Sequence, residues 1–171
     1  MSNTSPKLVR DLMTVGVVTC PPETPISEVA RLLLDGDLEG VVVLDQEGNG
    51  VGVVTQDDLV RAYSRHDVQS QTAEDVMQDG MIVIPPDIPL AAAAQLMQDK
   101  GTRVVFLTHN ASGIIYPAAM LSYRHFLRHL AAQSSEDLRD LGIAAERQLP
   151  VEMFIRKRDA ARRQAESRYE E

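Results

Sequence analysis

The feature that most constrains this chain is that it repeats itself after about 64 residues. Asp11-Leu12-Met13 returns as Asp75-Val76-Met77, Pro21-Pro22 as Pro85-Pro86, and Pro25 as Pro89. Ile26, Val29, Ala30 and Leu33 fall on Leu90, Ala93, Ala94 and Met97. Each set is spaced i, i+3, i+4, i+7, which is one apolar face of a helix. Val41-Val42-Val43-Leu44 then matches Val104-Val105-Phe106-Leu107 at an interval of 63. Thr55-Gln56-Asp57-Asp58-Leu59 matches Ser122-Tyr123-Arg124-His125-Phe126 at 67. A series held in the same order points to duplication of one structural unit.

Each unit reads as β-α-β-β-α. A short strand at residues 17–19 stops at the double proline, which neither continues a ladder nor lets a helix precede it. Thr24 stands where an N-cap belongs and Pro25 where the first helical residue belongs. The helix is expected to reach about Asp35. A β-branched strand at residues 41–44, a turn rich in Gly and Asn, and a return strand at 51–54 make a hairpin. A second helix starts after Thr55. The second unit follows the same path, with a longer hairpin in which Pro117 marks an edge or a bulge. A unit of about 60 residues is marginal alone, so two are expected to close one core. The expectation is an α/β fold with pseudo-twofold symmetry, divided at 8–70 and 71–130, with a helical extension over 131–171.

Composition narrows the function. With 44% hydrophobic and 25% charged residues, the chain is expected to fold. The net charge of −8 argues against a nucleic-acid binder, which needs a basic face. No apolar run suits a bilayer span and no signal sequence is evident, so a cytoplasmic location is expected. Cys20 is the lone cysteine, which rules out an internal disulfide and a cysteine–zinc cluster. His125 and His129 share a helical face without the glutamate of a metalloprotease motif, so no metal site is expected. Nor is there a glycine-rich phosphate loop.

Asp11-Leu12-Met13, the strand before Pro21-Pro22, the helix, the hairpin and Gly52-Val53-Val54-Thr55-Gln56-Asp57-Asp58-Leu59 together resemble a CBS repeat, and residues 8–130 a tandem pair. The resemblance implies a non-catalytic sensor that needs no cofactor for chemistry. It implies clefts between the repeats for AMP, ADP, ATP or S-adenosylmethionine, and assembly as a homodimer. It gives phosphate contact to Thr55 and ribose contact to Asp58, with Thr19, Gly40 and Val41 around the base. A hydroxyl beside free N–H groups at a helix start suits an anion. The same Thr55–Asp58 pair also reads as a capping box, and the two roles are compatible. In the second repeat Ser122 keeps the hydroxyl, but His125 replaces the carboxylate and cannot accept both bonds of a diol. Arg103 and Arg124 are candidate phosphate contacts there. The expectation is one good site at Thr55 and Asp58, and a weak or empty one at Ser122 and His125.

Residues 156–168 hold six bases against Asp159 and Glu166, so a +4 segment follows a −12 remainder. Such an arm suits a protein partner bound through residues 131–171. That leaves an alternative class, an oligomerisation or adaptor protein with vestigial clefts.

Overall fold

The computed structural model describes residues 7–65 and 67–133. The expected arm beyond residue 133 lies outside the described residues. In chain order the elements are α1 (Val9–Leu12), β1 (Thr14–Val15), β2 (Thr19–Cys20), α2 (Ile26–Asp35), β3 (Gly40–Leu44), β4 (Gly50–Thr55), α3 (Gln56–Tyr63), a 3-10 turn (Val68–Ser70), α4 (Ala73–Val76), β5 (Gln78–Asp79), α5 (Leu90–Asp99), β6 (Val104–Ala111), β7 (Ile114–Ser122) and α6 (Tyr123–Ala131).

Two sheets form, in the orders β2-β3-β4-β5 and β1-β7-β6. The short strand that leads each repeat crosses to the other. β1 pairs antiparallel with β7 through Thr14 and Met120, and β5 pairs antiparallel with β4 through Gln78 and Val53. The helical turns before them cross as well. Val9 and Leu12 of α1 pack in the core of the second repeat with Leu90, Ala93 and Met97. Ala73 and Val76 of α4 pack in the core of the first with Ile26, Val29 and Leu33.

The strands are apolar on both faces because both are covered. Val41, Val43 and Val54 face the first helical core, while Val42 and Val53 face the seam. Val105, Leu107 and Leu121 face the second helical core, while Val104, Phe106 and Met120 face the seam. The molecule is therefore layered helix, sheet, sheet, helix, with Val42, Val53, Phe106 and Met120 filling the middle. Burying side chains of this size contributes about 1.5–3 kcal/mol each.

Two sequence readings are corrected. Gly40 pairs with Thr55 and Val104 with Ser122, so Gly40 matches Val104 and the strand interval is 64, not 63. A run of valines looks the same after a one-residue slip, although the slip exchanges its faces. Pro25, not Thr24, is the N-cap of α2. The first helical N–H, from Ile26, donates to the Gln71 carbonyl at 3.1 Å, and in the second repeat Leu90 N–H donates to the Lys7 carbonyl at 2.9 Å. Each helix start is thus capped by the segment leading the other repeat. Thr24 instead hydrogen-bonds Cys20, whose thiol burial pushes above its ordinary value. Pro117 sits at a bulge of β7, one of the two placements expected of it, where the register shifts between Leu107 and Thr108, and β7 is the central strand of its sheet. The bulge accommodates the missing donor there.

The two hairpins turn differently. Asp45 accepts from Glu47 N, Asn49 N and Asn49 Nδ2 at 2.8–3.0 Å, which holds its carboxyl below the usual carboxylate range, the Asn49 side chain contributing most. The β6–β7 turn has positive φ at Ser112 and Gly113, the two-residue turn whose twist matches paired strands.

Gly52 admits β5. A Cβ there would lie 2.4 Å from Met77 Sδ and 2.8 Å from the Gln78 carbonyl oxygen, which is backbone and cannot swing away. Gly52→Ala is expected to destabilise the protein by about 1–3 kcal/mol in urea denaturation, by pushing β5 off β4. An unchanged midpoint would show that β5 is not held this closely.

Candidate functional site

The site begins where β4 ends and α3 starts. Thr55 is the N-cap of α3 with extended backbone, and its hydroxyl accepts from Asp58 N at 3.4 Å. Asp58 Oδ2 accepts from Thr55 N at 2.9 Å and from Thr55 Oγ1 at 2.5 Å. This is a complete capping box. The carboxylate has further partners. Arg61 Nη1 donates to Oδ1 at 2.9 Å, and Gln78 Nε2 donates to Oδ1 and Oδ2 at 3.0 and 3.1 Å. The Asp58 side chain is fully buried beneath these groups.

Two adjoining hollows open at Thr55, of about 50 and 170 Å³. Thr55, Gln78, Ile82 and Thr102 line both. The smaller one adds Glu39, Asp57, Lys100 and Arg103, and the larger adds Met81 and Phe106. The cleft therefore lies at the seam, with a first-repeat helix start facing the strand start of the second repeat. An apolar side meets a charged mouth. Arg103 Nε approaches Asp57 at 3.7 Å across it.

The other expected residues are placed as follows. Gly40 lies beside Thr55 on the neighbouring strand, and a Cβ on it would come within 3.2 Å of Val104. Val41 is fully buried in the helical core, and Thr19 lies on β2 opposite Val42. Neither lines the hollows. Arg103, expected beside the second site, belongs to the first cleft, because each cleft draws on both repeats. Arg124 instead pairs with Asp37 of the first repeat.

In the second repeat Ser122 and His125 form the same box with different chemistry. His125 Nδ1 accepts from Ser122 N at 3.0 Å, and Ser122 Oγ lies 2.9 Å away. A backbone N–H can only donate, so Nδ1 is the bare nitrogen and Nε2 carries the proton. Nε2 then donates to Thr14 Oγ1 at 2.7 Å. Ser122 and His125 are 1% and 3% exposed, so this box is closed. Thr14 stands at the position of Gln78, 64 residues earlier. Sequence reasoning passed over both, although each follows the repeated aspartate–aliphatic–methionine signature directly. Among the described residues no group of three or more His, Cys, Asp or Glu side chains could hold a metal ion, and no helix is long and apolar enough to cross a membrane.

The paired units, crossed leading strands and helix-start cleft define a tandem α/β module with a cleft at its seam. A family model described as the CBS domain matches residues 9–65 and 73–132, and the chain belongs to that family. An uncharacterised protein of Methanocaldococcus jannaschii is 39% identical over 54 residues, covering 32% of each chain. The magnesium transporter MgtE of Thermus thermophilus is 34% identical over 77 residues, covering 45% of this chain and 16% of that one. The chain thus spans under a third of either relative's length. Among solved structures, the CBS domain pair of protein MJ0100, in complex with 5′-methylthioadenosine and S-adenosylmethionine, matches with a TM-score of 0.66 at 19% identity, covering 75% of this chain and 99% of that one. A CBS domain protein of Pyrobaculum aerophilum complexed with AMP matches with a TM-score of 0.60 at 22% identity, covering 81% and 100%.

Burial, with Arg128 and Arg124 nearby, lowers the His125 pKa from the ordinary 6.5 to about 4. Between these values the unfolded chain binds a proton that the folded chain refuses. Stability is therefore full above pH 6.5 and falls as pH drops towards 4, by up to about 3 kcal/mol. His125→Asn keeps an acceptor for Ser122 N and does not titrate. Urea denaturation from pH 7 to 4 is expected to show a flatter profile for the variant, and an identical slope would remove His125 as the cause.

Proposed function

We propose that this chain is a non-catalytic cytoplasmic regulatory module that binds an adenosyl ligand at the Thr55 cleft. AMP, ADP, ATP and S-adenosylmethionine are the candidates. The observation that carries this reading is the placing of the Thr55–Asp58 helix start against Thr102 and Arg103 of the other repeat. The N-terminus of α3 offers partial positive charge, with Lys100 and Arg103 at the same mouth, which suits a phosphate or a carboxylate. Asp58, beneath it, has the two oxygens a ribose diol needs. Ile82, Val104 and Phe106 offer an apolar side for a base. The complexes of related folds with AMP, S-adenosylmethionine and methylthioadenosine support the ligand class. The second box, with a neutral imidazole for a carboxylate, is read as structural.

Thermal denaturation with each ligand in turn tests this. At a ligand concentration 100 times Kd, binding to the folded state alone contributes about 2.7 kcal/mol, a readily seen rise in Tm. At least one ligand is expected to give that rise, and Asp58→Ala to abolish it. No rise with any adenosyl ligand would contradict the reading.

The same reading includes a homodimer. Val60 and Tyr63 on α3 are 72% and 80% exposed, and Leu127 and Leu130 on α6 are 63% and 79% exposed. These pairs hold equivalent positions in the two repeats, so one apolar patch is displayed twice about the pseudo-twofold axis. Such a patch suits an isologous contact with a second copy. Sedimentation is expected to show a dimer that Tyr63→Glu with Leu130→Glu converts to monomer. A monomeric parent protein would end this part of the reading.

A further inference from the structure

We propose that Gln78 is an internal competitor for the ligand: its carboxamide holds the Asp58 carboxylate and must be displaced when a ribose claims it. The inference rests on the adenosyl reading above. Gln78 Nε2 carries two N–H groups and lies 3.0 and 3.1 Å from the two oxygens of Asp58. A ribose diol would present two O–H donors to the same pair of oxygens. Asp58 Oδ2 already accepts from Thr55 N and Thr55 Oγ1, and Oδ1 from Arg61, so of the roughly four acceptor positions of a carboxylate one on Oδ1 remains, which takes Gln78 or a ribose hydroxyl but not both.

The partners of Asp58 differ in how easily they leave. The Thr55 bonds cap α3 and persist while the helix start does. Arg61 and Gln78 are exposed side chains that reach the carboxylate from outside. Of these two, only Gln78 borders the hollows, and it borders both. A ligand entering the cleft therefore meets Gln78 and not Arg61.

The second repeat shows the same latch in other chemistry. Thr14 holds His125 at 2.7 Å from the position equivalent to Gln78. The latch also sits on the crossed strand. β5 is held to β4 through the Gly52–Asp79 and Val53–Gln78 pairs and the Gly80 N–H, which donates to the Val51 carbonyl at 2.8 Å. Freeing the Gln78 side chain thus loosens an element that begins the other repeat, which gives ligand occupancy a route to the relative pose of the two halves. That route requires the ligand to prefer the unlatched state.

Calorimetric titration of the full chain with AMP and with S-adenosylmethionine tests the competitor directly, using the parent protein, Gln78→Ala, Gln78→Thr and Arg61→Ala. Removing a charge-assisted hydrogen bond from the ligand-free state is expected to tighten binding about tenfold in both Gln78 variants. Arg61→Ala, whose side chain lies off the hollows, is expected to change affinity less. Equal affinity in the parent and both Gln78 variants would overturn the competitor while leaving the adenosyl reading intact. Weaker binding in those variants would also overturn it and make Gln78 a ligand contact. Binding of neither ligand by any of the four proteins would overturn the adenosyl reading and the competitor together.

Discussion

The exchange of leading strands is the constraint on which the rest of the structure depends. By sequence, β1 belongs to the first repeat and β5 to the second. By hydrogen bonding, each belongs to the other. The helix starts follow the same rule, since the segment that caps each major helix comes from the opposite repeat. Neither repeat can therefore finish its sheet, its helical core or its helix cap alone. The middle layer of Val42, Val53, Phe106 and Met120 forms only when both are present. Close approach at Gly52 is what this exchange demands of the backbone.

The exchange also sets where chemistry can occur. Each helix-start box is completed by a side chain from the crossed strand, Gln78 over Asp58 and Thr14 over His125. The two boxes are alike in backbone geometry and opposite in electrostatics. A buried carboxylate needs several donors to offset its lost hydration, and Asp58 has them in Thr55, Arg61 and Gln78. A buried imidazole escapes that cost by staying neutral, and two hydrogen bonds satisfy it. One end of the seam therefore holds a charge that an incoming donor can claim, and the other holds none.

Much of this was legible in the residues. The recurring prolines and the i, i+3, i+7 faces located α2 and α5, because apolar periodicity follows directly from which side is buried. The Thr55–Asp58 pair located a helix start, and the His125 replacement pointed to unequal boxes. Other features left weaker marks. Two-residue strands such as β1 and β5 have no periodicity, so the exchange was invisible. The valine-rich strands admitted a slip of one residue. Arg103 was expected beside the second box and lines the hollow at Thr55, because sequence nearness to the second repeat's strand says nothing about which helix start faces it. Gln78, an ordinary exposed residue in a short strand, gains its meaning only from the buried carboxylate it covers.

The central claim is that ligand meets protein at the Thr55 helix start and not at its pseudo-symmetric counterpart. Backbone amide shifts during titration with AMP test this most directly. The account predicts changes concentrated at Thr55, Asp58, Gln78, Thr102 and Arg103, with Ser122 and His125 unmoved. Changes centred on Ser122 and His125, or spread evenly over both boxes, would contradict it.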